Sequence, residues 1–256
     1  MTFEVTVEST FDLFLRTCPW EQTNLRSEDI VALSDDIWFV EKWNWDYEQA
    51  LLFQQYCVEF LRKFKSLKIF IFCSHPHCFT LGRGLQKSKN DKDHLLLDFD
   101  PMIKASLPFP LHQITRGGGL TFHYPGQWVC YPITNLNGKK LTVYGLMDLL
   151  LTCAREAILH INPALPLSHE NELLGLWSGQ QKLASIGLAV TRFITFHGMA
   201  LNIFRDSSID KALEMVNPCG LPGATFVNLE QLCGHHAELF RLFHELFKMK
   251  LKTRFF

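Results

Sequence analysis

Apolar positions along the chain change their period several times, and each change marks an element. From Asp46 onward, Tyr47, Ala50, Leu51, Val58 and Leu61 recur at helical spacing, and Asp46 followed by Gln49 has the form of a capping box. Lys65-Ser66 is expected to close that helix. Ile69 to Cys73 is then a short unbroken apolar run, which suits a strand buried on both faces. Leu120 to Tyr124 alternates, Pro125-Gly126 signals a turn, and Trp128 to Tyr131 returns to strand. Thr142 can cap a long amphipathic helix running to about His160, where Asn162-Pro163 stops it. Two strands follow, Leu183 to Val190 and Phe193 to Ile203, joined by a turn at Thr191-Arg192. Ser208 is expected to cap a brief helix ending near Val216. A last amphipathic helix should begin after Asn228 or Gly234, with Leu239, Phe243, Leu246 and Phe247 on one face. Residues 1–34 show no strong period, and Lys87 to Lys92 reads as a polar, basic loop.

Strands and helices are mixed without strict alternation, which predicts the α+β class. No Pro/Ser-rich linker, charge block or repeat divides the chain, so residues 1–256 are read as one domain. With 47% hydrophobic residues and 22 phenylalanines, the chain can bury a sizeable core and is not disordered. Its formal net charge is -1, so a nucleic-acid partner is not expected. The acidic start Met1 to Val5 lacks the features of a signal peptide, and no run approaches the roughly 18–20 apolar residues of a membrane span. A cytoplasmic protein without membrane contact is the expectation. Eight cysteines at irregular spacing, with no CxxC pair, then read as reduced thiols.

Among those thiols Cys219 stands apart. Cys57 and Cys153 fall in amphipathic helices, Cys73 and Cys130 in apolar strands, whereas Asn217-Pro218-Cys219-Gly220 is a rigid turn, and turns lie at surfaces or line clefts. A reactive cysteine needs a thiolate, and a nearby cation favours one. Lys182, heading the segment Lys182-Leu183-Ala184-Ser185-Ile186-Gly187, is the candidate, although a lone lysine at the start of a strand is ordinarily a solvated charge. Arg116-Gly117-Gly118-Gly119 leaves backbone N–H groups open to a ligand; it is neither a dinucleotide fingerprint nor a P-loop. The clusters His75-Pro76-His77-Cys78 and Cys233-Gly234-His235-His236 lack the paired spacing of a structural zinc site, so neither a metal nor a cofactor is expected.

In order and spacing these segments resemble the lipoyl(octanoyl) transferase family. The likeness is carried by His77 to Gly84, Arg116 to Gln127, Lys182 to Gly187, Thr195 to Asn202 and Asn217 to Leu221, and covers about residues 34–250; residues 1–33 form an N-terminal extension outside it. The resemblance implies a mixed β-sheet flanked by helices, as in the catalytic domains of biotin and lipoate protein ligases. It implies Cys219 as the acyl-accepting nucleophile and Lys182 as the catalytic lysine. It also implies substrate binding by Arg116, Gly117, Gly118, Gly119, Leu120, Thr121, Phe122 and His123, by Ser185, Ile186 and Gly187, and by Gly198, Met199 and Ala200. The implied reaction moves an octanoyl group from octanoyl-acyl carrier protein to a lysine of the lipoyl domains of 2-oxoacid dehydrogenases, with glycine cleavage H protein as a further acceptor. Basic residues such as Arg83, Lys87 and Lys89 could help dock these partners. Two positions depart from the family pattern: Gly119 replaces a glutamine and Tyr124 a glycine. An ATP-dependent lipoate or biotin protein ligase is the alternative on the same scaffold, and the Cys219 turn argues against it.

Overall fold

The computed structural model describes residues 8–84, 107–137, 141–169, 174–208 and 225–255. The loop at Lys87 to Lys92, residues 209–216 of the brief helix expected after Ser208, and Cys219 therefore lie outside the described residues. Ser208 is already helical, and Asp206, accepting from Ser208 N at 2.9 Å, takes the capping place expected of Ser208. The chain begins with helices α1 (Thr10–Thr17) and α2 (Trp20–Thr23), a 3-10 turn, and strands β1 (Ile30–Ser34) and β2 (Ile37–Lys42). Helix α3 (Tyr47–Leu61) follows, then β3 (Lys68–Cys73), β4 (Cys78–Gly84), β5 (Leu111–Gln113), β6 (Gly118–His123) and β7 (Gln127–Thr134). After α4 (Val143–Ile161) come β8 (Leu167–Ser168), β9 (Gly175–Ser178), β10 (Gln181–Thr191) and β11 (Ile194–Asn202), and finally α5 (Leu229–Cys233) and α6 (Leu239–Phe255).

Eight strands form one mixed sheet in the order β1-β2-β3-β7-β11-β10-β9-β8, and β5-β4-β6 form a smaller one. The apolar run in β3 is explained by two covered faces. Phe70 and Phe72 enter the core beneath α4 and α6, whereas Ile69, Ile71 and Cys73 enter the core beneath α1 and α3. Asp46 caps α3 by accepting from the backbone N–H groups of Glu48 and Gln49, and Thr142 caps α4 by accepting from Gly145 N. The final apolar stretch is two helices rather than one, because Gly234, with φ at +83°, ends α5.

Pro132 sits inside β7, a strand buried along its whole length, where a missing N–H ordinarily breaks a ladder. A side chain repairs the gap. Thr195 Oγ1 donates to Pro132 O at 2.6 Å and accepts from Thr134 N at 3.1 Å. Nearby, His197 adopts φ +58°, which turns its N–H away from β7 and onto Gln54 Oε1 at 2.8 Å.

Residues 8–34 have no visible period because their helices span only one or two turns. They are nevertheless fastened to the sheet. Phe14 is fully buried against Trp38, Phe53 and Phe60, Trp45 Nε1 donates to Thr23 O at 2.7 Å, and the Tyr56 hydroxyl donates to Phe14 O at 3.0 Å. Phe14→Ala should therefore lower unfolding free energy in urea by about 3–5 kcal/mol. Val31→Ala, at an exposed site on β1, should change it by less than about 0.5 kcal/mol. Equal effects would place α1 outside the cooperative core.

Candidate active site

The small sheet meets the large one where Gly117 N donates to Leu188 O at 3.2 Å. The approach depends on Gly187, since a Cβ there would lie 2.7 Å from Gly117 O. Between the sheets lies a cavity of about 600 Å³, within the range of small-molecule sites. Val129, Ile186, Leu188 and Met199 give it apolar walls, and Val143 and Tyr144 of α4 border it, Tyr144 with most of its surface exposed.

Lys182 is on this wall and only 4% exposed. The pairing of β10 with β9 shifts register between Lys182 and Ala184. This irregularity sends Leu183 and Ala184 together into the core under α4 and leaves Lys182 on the cavity side with Ser185. Gly175, at φ +151°, makes room for the lysine stem; a Cβ there would stand 2.7 Å from Lys182 Cε. The ammonium lies 5.3 Å from the centre of the Trp177 ring, a favourable cation–π placement. The strand beside Lys182 is completed from further along the chain: Phe226 bridges to Lys182, and Val227 N donates to Lys182 O at 3.1 Å.

Across the cavity, Arg116 donates through Nη2 to Thr80 O at 3.0 Å, Thr80 Oγ1 at 2.9 Å and Thr121 Oγ1 at 2.7 Å. Thr80 Oγ1 also lies 3.2 Å from His123 Nε2, and His123 Nδ1 lies 2.7 Å from Gln127 Oε1. The tautomer follows from the partners. Gln127 uses its amide group to donate to Phe122 O and Asn202 Oδ1, so its oxygen must accept the proton of His123 Nδ1, and His123 Nε2 accepts from the Thr80 hydroxyl. The same logic fixes His75: Nδ1 donates to Trp45 O at 2.7 Å, leaving Nε2 to accept from Tyr131 at 2.8 Å.

Burial keeps these imidazoles neutral. His75 is pushed down to about 4 by desolvation, His123 well below the usual imidazole value by the same cause, and His197 to about 3 by desolvation and then by Arg116. Among the described residues that line the cavity, Arg116 and Lys182 are the charged ones. Burial also drives up every described cysteine: Cys18, Cys78 and Cys153 to about 12, Cys57, Cys73 and Cys130 well above the free thiol, and Cys233 upward. None of these seven is poised to be a nucleophile at neutral pH. In the two His/Cys clusters, His77 pairs with Asp206 at 2.8 Å and His235 contacts Glu230. Among the described residues no three His, Cys, Asp or Glu side chains are grouped to hold a metal ion.

Residues 46–256 match the model of the lipoyl protein ligase A/B catalytic domain. An octanoyltransferase of Bdellovibrio bacteriovorus strain HD100 is 31% identical over 224 residues, 82% of this chain and 92% of that protein. The chain belongs to this family. An octanoyltransferase of Synechococcus sp. strain WH7803 is 38% identical over 161 residues, 62% of this chain; the match spans only 58% of that protein's length. Among solved structures, lipoate-protein ligase A bound with ATP shares the fold at a TM-score of 0.58 and 13% identity, covering 85% of each chain. A protein of T. acidophilum with bound lipoic acid gives 0.59 and 13%, covering 85% of this chain and 86% of that one. These likenesses establish the α+β ligase-type fold.

Of the residues expected to bind substrate, Arg116 to Gly119, Thr121, His123, Ser185 to Gly187 and Gly198 to Ala200 border the cavity with Lys182. Leu120 and Phe122 do not. Alternation in β6 turns them to the opposite face, where they pack with Phe79 and Tyr124. Tyr124, one of the two departures from the family pattern, is likewise behind the wall, its hydroxyl donating to Phe204 O at 3.2 Å; only Gly119 borders the cavity. Tyr47, Tyr131 and Met147 line it without any sequence signal of their own; Gln54, which does not line it but accepts from His197 N, stands out as a polar residue on the apolar stripe of α3. Among the described residues no helix is long and apolar enough to cross a membrane.

The histidines give a pH dependence of stability. Their native values lie below the ordinary imidazole value of 6.5, so as pH falls the unfolded chain takes up protons first. Stability should be full above about pH 6.5 and decline steadily toward about pH 4. Urea midpoints measured across that window would show it, and His75→Asn, less stable at neutral pH, should have a shallower slope. A slope unchanged by the variant would assign the acid loss to other groups.

Proposed function

We propose that the chain transfers an octanoyl group from octanoyl-acyl carrier protein to a lysine of lipoyl domains, through a thioester on Cys219. The observation that carries this reading is Lys182: a buried ammonium on the wall of an apolar, acyl-sized cavity, beside which the chain returns at Phe226, seven residues after Cys219. The relatives' activity supports the octanoyl group, and the apolar wall of Ile186, Leu188 and Met199 suits a saturated chain.

In the first half-reaction the Cys219 thiolate, favoured by the Lys182 ammonium, attacks the carrier's thioester carbonyl. A new C–S bond forms, the bond to the carrier breaks, and the departing thiolate takes a proton from Lys182. The neutral lysine is then ready for the second half. The amine of the acceptor lysine attacks the acyl-enzyme, its proton passes to Lys182, and Cys219 leaves as thiolate. One thioester is exchanged for another and then for an amide, so no ATP is required. Lipoyl domains of 2-oxoacid dehydrogenases and glycine cleavage H protein are the acceptors in this reading, and the cytoplasm, where thiols stay reduced, is the compartment. Arg83, exposed near the site, would help meet an acidic carrier.

Intact-mass spectrometry after mixing with octanoyl-acyl carrier protein should show one octanoyl adduct, mapped to Cys219 and missing in Cys219→Ser. Activity that requires ATP and survives Cys219→Ala would instead establish a ligase. Lys182→Ala should slow adduct formation by about 10²–10⁴-fold in a folded protein. An unchanged rate would remove Lys182 from the mechanism.

A further inference from the structure

Resting on the transfer reaction proposed above, we infer that Asn202 and Gln127 are positioning residues, which hold the cavity wall and the catalytic lysine in one fixed relation. The two sides of the cavity belong to different sheets, and a continuous chain of hydrogen bonds joins them. It starts at Arg116 Nη2, which donates to Thr80 Oγ1, and passes through His123 to Gln127 Oε1. Gln127 Nε2 donates to Asn202 Oδ1 at 3.0 Å. Asn202 Nδ2 donates in turn to Val227 O at 3.2 Å, and Val227 N donates to Lys182 O at 3.1 Å.

Each member has one workable orientation. The Gln127 amide must donate to both Phe122 O and Asn202 Oδ1, so it cannot flip, and Asn202 then has only its nitrogen left to offer Val227 O. Thr80, His123 and Gln127 are buried, which makes a broken link costly and the chain cooperative. Neither Asn202 nor Gln127 borders the cavity. Their action is through Val227, which holds the backbone of Lys182, and through His123, which holds the Thr80–Arg116 pair.

A carboxylate in place of either amide breaks the chain at a chosen point with almost no change in shape. Asn202→Asp keeps an acceptor for Gln127 and sets an oxygen against Val227 O. Gln127→Glu keeps the acceptor for His123 Nδ1–H and loses both donors. Adduct formation from octanoyl-acyl carrier protein should slow in each variant by about ten- to a hundredfold, the loss expected when one buried polar group is left unpaired. KM for the carrier should stay within about threefold, because the groups bordering the cavity are unchanged. Amide hydrogen exchange at Val227 should quicken by at least about tenfold in both, reporting the released backbone bond.

Wild-type protein in the same series separates the two claims: no adduct on wild-type Cys219 would sink the transfer reading, whatever the variants do. With the wild-type adduct present, a normal rate in either folded variant overturns the positioning role, as does faster Val227 exchange without a slower reaction. Failure of both variants to fold would also overturn it, by making the chain a requirement of the core and not of the site.

Discussion

Everything at the candidate site depends on how closely two backbones approach at Gly117 and Gly187. One hydrogen bond, Gly117 N to Leu188 O, and the absence of a Cβ at Gly187 let the small sheet lean on the large one. A side chain there would force the sheets apart, since 2.7 Å is well inside the contact distance of carbon and oxygen. That contact brings Arg116, Thr121 and His123 from β6 and its approach opposite Lys182, Ser185 and Met199 from β10 and β11. The cavity is a consequence of sheet packing, and side chains such as Val129, Ile186, Leu188 and Met199 then form its walls.

Within that space the chemistry is sorted by burial. Imidazoles that would ordinarily titrate near neutrality are kept uncharged, with tautomers set by Trp45 O and by Gln127. Of the seven described thiols six are buried, Cys233 is partly exposed, and desolvation raises all of them. Among the described residues, the charged side chains that border the cavity are Arg116, held by Thr80 and Thr121, and Lys182, placed by the register shift between β10 and β9. In the proposed transfer, the apolar walls would take an uncharged acyl chain and the buried cation a developing anion.

Much of this was legible in the sequence, and what was hidden has physical reasons. Helices α3 and α4, the strands on either side of Pro125-Gly126 and the β10–β11 hairpin followed from period and capping residues. The glycine-rich and Lys182 segments, met as separate motifs, border one cavity. By contrast, Lys182 alone reads as a solvated strand lysine, because neither the register shift nor Gly175 beneath its stem can be seen locally. Leu120 and Phe122 sit inside a binding motif yet face away from the cavity, since alternation assigns every second residue to the other face. The N-terminal helices were too short to show a period, and their role depends on Trp38, Phe53 and Phe60, which are distant in sequence. Pro132 in a central strand argues against its own assignment until Thr195 is seen supplying the missing bonds.

The central claim is that a buried lysine keeps one cysteine as a thiolate. Titration of thiolate ultraviolet absorbance tests it directly, because the seven described thiols are all raised by burial and leave the neutral range clear. The account expects one step below the ordinary cysteine value of about 8.5, lost in Cys219→Ser and moved upward in Lys182→Ala. A protein with no step below that value, or with a step that Lys182→Ala leaves in place, would contradict it.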